Sequence, residues 1–533
     1  MHLENDQTLE EVRVAPPRAI PDISLGTKII RNVISGGLRY VFVAPIPFIM
    51  TPLILSKIGV RGYGTWAVFL AINGLTSLAD LGLVGTLSKF VAEYHAQRDL
   101  VAMRRVLNSG LALFLSISAF IGIALWTLAP RLQGLLFRGS PTPSAELVLL
   151  FRLFLVVIAA NILNLLFSSV TSGLQRLDLT NLISAVNVFL NALFSASLLL
   201  AGFGLRGLVY GYAASGVITV AVYLVLVRRL LPNIVLNPLQ FDRQEAQKMF
   251  SFSFRLYITQ AAVAVHNQIE KVFLAMLIGV TPVGWYDIAS DISLKLRNAI
   301  SFVLSPVLPA ASELSALRDE HRMRELYYRT HKYLALIGIP AVCFAAGVSR
   351  RFVELWLGPQ LEIIAFPLSV LLIVSFANLV TGPGFYIFAG QGNLAPCINS
   401  AVLGITVNLV LSLGLIYKYG FSGAVLGTSA ALILAAGYFL SVFHRSTGYP
   451  FLPLLRGAYL KPLLCSFLAL AVILALRPMD DLSWLGLATM AAIFGSVYCI
   501  VILLSRFFDP YDWSKMESFF PGIRLMRKLW GVG

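Results

Sequence analysis

Asp287, Asp291 and Lys295 recur at four-residue steps in an otherwise apolar stretch. That spacing puts all three on one helix face, with the acids ahead of the base in the order that favours pairing. Arg297 follows, slightly offset from the stripe, and a second apolar run just upstream carries Arg255, His266, Glu270 and Lys271. Carboxylates among bases can pair with them, hold a cation or orient them toward an oxyanion. His266, four residues before Glu270, could pass a proton. In hydrocarbon each ionised group near the bilayer centre costs roughly 2.5 to 3.5 kcal/mol, so seven facing lipid would cost about 20 kcal/mol. These groups must therefore face one another or water, as a binding site or a pathway does.

The elements that carry them are membrane spans. The chain has 533 residues, 58% hydrophobic and 13% charged, with a mean hydropathy of +0.80, which is outside the range of soluble domains. At about 20 apolar residues per span, an all-α polytopic protein with about fourteen transmembrane helices is expected. They run from 29–56 and 64–88, through 251–278 and 284–310, to 457–476 and 483–505. Residues 1–26 read as a disordered cytoplasmic tail and 507–533 as an amphipathic cytoplasmic tail on the membrane surface. The net charge of +15 reflects Lys and Arg gathered in alternate loops, which predicts two cytoplasmic termini and no nucleic-acid partner.

No GxxxxGK[ST], HExxH or CxxC stands in the chain, so no ATP site, metal centre or other cofactor is expected. Cys343, Cys397, Cys465 and Cys499 fall inside apolar runs and read as packing residues. The loops opposite the basic ones are short, leaving no room for a large outer-face domain. Movement is expected here, and no enzyme.

An internal repeat organises the spans. At an offset of 220 residues, Ile58, Gly59, Val60 and Gly64 match Ile278, Gly279, Val280 and Gly284, with Trp66 opposite Tyr286. EYHAQRD (Glu93 to Asp99) matches ELSALRD (Glu313 to Asp319) at the same offset. At 216, Gly204, Gly207, Val209 and Gly211 match Gly420, Gly423, Val425 and Gly427. The expected plan is a six-helix bundle over 27–230, a cytoplasmic linker over 231–250, a second bundle over 251–445, and two extra helices over 446–506. Six is even, so both copies enter the membrane in the same direction, related by a pseudo-two-fold axis along the membrane normal.

The first span adds Arg39, about ten residues or roughly 15 Å of helix from its cytoplasmic end, together with Pro45, Pro47 and Pro52, which should bend its outer part. Arg39 could contact Asp80 of the second span, or cap carbonyls that the prolines free. Arg39, Arg255, Lys271, Lys295 and Arg297 outnumber Asp80, Glu270, Asp287 and Asp291 by one, so an anion would need a local patch of charge.

Taken together, LSKIGVRGYGTWAVF and LADLGLVGTLSKFVAEY (Leu55 to Tyr94), IGVTPVGWYDIA (Ile278 to Ala289) and the six-plus-six-plus-two plan resemble the polysaccharide transporters. These belong to the superfamily of multidrug, oligosaccharidyl-lipid and polysaccharide exporters. The resemblance implies an inner-membrane flippase that carries a polyprenyl-diphosphate-linked oligosaccharide from the cytoplasmic to the periplasmic leaflet by alternating access. A cation-coupled drug exporter of the same superfamily, or a membrane protein of glycan assembly, is the alternative. Carried onto this sequence, Arg39, Arg255, Lys295 and Arg297 would contact phosphate, and Asp80, Glu270, Asp287 and Asp291 would orient them, bind sugar or couple an ion. The bilayer and the lipid-linked oligosaccharide are the implied partners, with a glycan polymerase and chain-length machinery beside them. Family members commonly carry Asp near the position of Glu270. The lipid II flippases use several arginines in the first span, where this chain has only Arg31 and Arg39.

Overall fold

The computed structural model describes residues 43–476 and 483–519, and no strand occurs among the described residues. The first repeat copy holds α1 (Pro45–Leu75), α2 (Leu83–Gln97), α3 (Leu100–Leu136), α4 (Ser144–Gly173), α5 (Leu177–Leu200) and α6 (Gly204–Leu230). The second holds α7 (Arg243–Leu277), α8 (Val280–Ser301), α9 (Val307–Ala316), α10 (Glu320–Gly347), α11 (Ser349–Leu357), α12 (Ala365–Leu379), α13 (Gly382–Gly390) and α14 (Ala395–Thr447). Last come α15 (Lys461–Leu476), α16 (Trp484–Leu504) and α17 (Pro510–Phe519).

Among the described residues, ten helices are long and apolar enough to cross a membrane, or eleven when a bent pair over Pro45–Gln97 is included. This is an all-α multi-pass membrane protein, and four features separate that count from the expected fourteen. Residues 29–42 of the first expected span lie outside the described residues. α7, which carries His266, Asn267, Gln268, Glu270 and Lys271 within its apolar run, is not among the ten. α14 counts once although a non-helical Gly420 divides it where two spans were expected. α1 likewise joins parts of two expected spans, across Gly59.

The sequence repeat reappears as repeated backbone geometry. Gly59 turns the chain with φ 68° and ψ 177°, and its match Gly279 with φ 127° and ψ −177°, conformations that a Cβ would strain. Arg98 and Arg318 both take left-handed φ, 57° and 53°. The next residue then caps a helix in each copy: Asp99 accepts from the N–H groups of Val101 and Ala102, and Asp319 from that of Arg322. Gly204 and Gly420 have φ of 56° and 58°.

The second expected span is not continuous. After α1 the chain passes through a 3₁₀ turn at Thr76–Asp80, goes left-handed at Leu81 and Gly82, and restarts as α2 with a bend of 48°. A short polar–glycine sequence, Asp80-Leu81-Gly82, makes the break. In the second copy α8 and α9 are separated by a 3₁₀ turn at Phe302–Leu304.

Packing differs between the regions. The first copy is filled by aromatic rings, with Phe69 5.0 Å from both Phe137 and Phe154, and Trp66 edge-on to Phe154 at 6.0 Å. α15 and α16 pack on α10, where Phe344 meets Phe494 at 5.2 Å and the Tyr498 hydroxyl donates to the Leu336 carbonyl. α17 is tied to α10 by charge: Lys332 bonds Asp512 and Asp509, and Arg329 lies over the Tyr511 ring at 3.7 Å. Burial would push the Asp509 carboxyl up. The Asp512 backbone N–H, Lys332 and Arg329 outweigh it and hold that carboxyl below its ordinary range.

Candidate functional site

The two copies meet where α1 crosses α8. Gly64 and its repeat match Gly284 face each other so closely that a methyl on Gly284 would lie 3.1 Å from the Gly64 Cα, and one on Gly64 would run into the Val280 carbonyl. The α7–α8 tip is held from the first copy as well, since the Val280 N–H donates to the Arg138 carbonyl at 3.0 Å. This approach fixes the charged stripe of α8 against the first copy.

Asp287 is buried at that seam. One carboxylate oxygen pairs with Lys271 of α7 at 2.7 Å and the other accepts from the Tyr63 hydroxyl of α1 at 2.8 Å. A buried carboxylate left alone would be costly, and here both oxygens are answered. One turn on, Asp291 pairs with Lys295, and the acid is half exposed. The stripe thus runs from a buried, compensated end at Asp287 to an open end at Asp291 and Lys295.

Glu270 lies on α7 and is fully buried. One of its oxygens accepts from the Asn408 side-chain amide and from the Thr428 hydroxyl at 2.8 Å, and Thr428 also bonds the Tyr286 hydroxyl at 2.7 Å. The other Glu270 oxygen has no partner, nor do the side-chain carbonyl of Asn408 and the hydroxyl of Ser412 one turn on. Buried polar atoms are normally satisfied. One carboxylate with amide and hydroxyl oxygens suits a proton or a hard cation. Among the described residues no three His, Cys, Asp or Glu side chains are grouped as a metal centre.

Arg297 occupies a third environment, inside the second copy. A cavity of 460 Å³ lies between α7, α8, α12, α13 and α14, with His266, Asn267, Arg297, Asn298 and Asn378 on its wall. A smaller chamber of 40 Å³ continues past Arg297 to Tyr286 and Thr428, reaching the groups that hold Glu270. Arg297 donates to the Asn378 side-chain oxygen at 3.2 Å, while its buried Nε has no partner. Among the described residues no carboxylate pairs with it at ion-pair distance.

The expected site residues therefore fall into separate settings. Arg297 lines both cavities, Glu270 lies behind Thr428 on the wall of the smaller one, Asp287 bridges to the first copy, and Asp291 with Lys295 forms the open end of the stripe. Asp80 is buried at the break before α2, where it accepts from the Val84 N–H at 2.7 Å as a helix cap. It lines neither cavity of the second copy. Arg39 lies outside the described residues, as does the side chain of Arg255. Sequence reasoning passed over Tyr63, Asn378, Asn408 and Thr428, which are neutral polar residues without a local motif.

The chain matches the family model described as polysaccharide biosynthesis protein over residues 112–366. It is 22% identical to a Shigella flexneri protein named as an O-antigen transporter, across 76% of this chain and 96% of that one. To a Haloferax volcanii protein named as flippase AglR it is also 22% identical, across 73% and 78%. Among solved structures it is similar to the lipid II flippase MurJ in an inward closed conformation, with a TM-score of 0.72 at 16% identity over 89% of this chain and 98% of that one. The resemblance to the polysaccharide transporters is borne out: family model, named relatives and fold agree.

Proposed function

We propose that this protein flips a polyprenyl-diphosphate-linked oligosaccharide from the cytoplasmic to the periplasmic leaflet of an inner membrane, by alternating access and without breaking a bond. Both termini would be cytoplasmic, as the basic loops indicate. The observation that carries the reading is the bridge at Asp287: this carboxylate, buried and paired with Lys271 in the second copy, accepts from Tyr63 of the first, on the surface that must part and re-form when such halves rock. The named relatives are a transporter and a flippase, which supports movement of a glycan carrier.

The mechanism follows from what each group can exchange. Polar cargo needs a path lined by groups that replace water, and the interior beside Arg297 supplies amides, hydroxyls and a guanidinium. Glu270 is placed to report its own state to that interior. Binding a proton or cation at its free oxygen would change its hold on Thr428, which also lines the chamber reached by Arg297. A coupled transporter needs two sites that bias one shared equilibrium, and Thr428 joins them here.

An Arg39→Ala, Arg297→Ala double variant in the natural host tests the reading. Lipid-linked glycan should accumulate where a membrane-impermeant label cannot reach it, and surface glycan should fall. Unchanged glycan export together with lost drug resistance would show a drug exporter instead.

A further inference from the structure

The cavity around Arg297 lies within the second copy, apart from the seam between the copies, and its chemistry differs from the seam's. On the α8 stripe Asp287 answers Lys271 and Asp291 answers Lys295. Inside the second copy, among the described residues, no carboxylate pairs with the Arg297 guanidinium, and its Nε is buried and unsatisfied. A desolvated cation left uncompensated costs several kcal/mol, a cost that an arriving anion would offset. Around it are Asn267, Asn298 and Asn378, amides that can both donate to and accept from hydroxyls. Tyr386 and Phe385 offer flat apolar faces on the same wall. The volume, 460 Å³, falls within the roughly 300–1,000 Å³ typical of small-molecule sites.

Resting on the flippase reading above, we propose that this cavity is a separate chamber for the head of the cargo, taking one sugar that bears an oxyanion. Arg297 grips the oxyanion through Nε and Nη, and the three asparagines bind ring hydroxyls. The oxyanion is either a sugar carboxylate or a phosphate attached to the sugar. The repeat places Ser77 opposite Arg297 in the first copy, so the grip belongs to one half and the cargo is held asymmetrically.

The test uses the full chain in nanodiscs and thermal unfolding with four probes: glucose, glucuronate, glucose 1-phosphate and inorganic diphosphate. At least one anionic probe should raise the unfolding midpoint while glucose does not. Arg297→Gln should weaken that probe about tenfold or more, equivalent to about 1.4 kcal/mol. Ala401→Trp, which fills the cavity without touching a charge, should do the same, so the outcome does not hang on one variant folding. A response to glucuronate alone assigns the carboxylate, and a response to the phosphorylated probes assigns the phosphate. The chamber is overturned if no anionic probe protects the wild-type chain, if glucose protects as well as glucuronate, or if both variants bind like wild type. The flippase reading fails on a different result: normal surface glycan in cells lacking the protein.

Discussion

The two repeat copies share their backbone and divide their chemistry. At the offset of 220, Ala67, Ala71, Leu75 and Ser77 stand where the second copy has Asp287, Asp291, Lys295 and Arg297. Met50 and Thr51 stand where it has Glu270 and Lys271. Ala67 and Ala71 are buried, flanked by Trp66 and Phe69 and their ring cluster, so the first copy forms a close-packed wall. What survives duplication is what the backbone requires: the turn glycines, the left-handed Arg–Asp caps and the glycine seam. The side chains facing the interior have been free to diverge: Glu270, Lys271, Asp287, Asp291, Lys295 and Arg297 have no charged counterpart at the matched positions of the first copy.

Three sets of substitutions probe that division, in order of expected effect. Gly64→Val should be the most damaging, because its Cβ would meet the Val280 carbonyl across the seam. We expect a loss of more than about 4 kcal/mol, seen as loss of folded monomer on size exclusion. Gly284→Ala, facing a 3.1 Å approach, should be far milder; no damage from Gly64→Val would mean that the seam is not the tight point. Next, Lys271→Met leaves Asp287 buried and unpaired and should cost about 3–5 kcal/mol of stability in denaturant unfolding. Adding Asp287→Leu should recover much of that loss. No recovery would show that the pair does more than neutralise itself. Smallest, Asp99→Ala and Asp319→Ala should each cost about 1 kcal/mol as lost caps. Similar midpoints for the two would sharpen the claim of shared geometry, and a loss confined to one would break it.

Much of the fold was legible because apolar runs and turn glycines are local. Gly59, Gly279, Gly204 and Gly420 are where the matched sequence places them, and each turns as its partner does. The pairing of Asp291 with Lys295 was likewise readable from a four-residue step. The site was read less completely. Tyr63 reaches Asp287 across 224 positions and Thr428 reaches Glu270 across 158, contacts that only the packing of α1 and α14 creates. Neutral polar residues inside spans carry no sign of which acid they will meet. Asp80 was expected to orient the bases, bind sugar or couple an ion because it is charged, but the helix break it caps gives that charge a local use.

The bridge at Asp287 has a consequence for how the molecule answers voltage. Lys271 and Asp287 both belong to the second copy, and only the Tyr63 hydroxyl reaches over from the first. If the copies part, the ion pair travels intact and this bridge exchanges one hydrogen bond for water, at a net cost of about 0.5–1.5 kcal/mol. A charge moved through the full membrane potential is worth about 2.3 kcal/mol per 100 mV. A pair that moves together carries no net charge through that field. This bridge is therefore electrically silent, and any voltage dependence of transport would report on groups outside it, such as Arg297 and Glu270, and on the charge of the cargo.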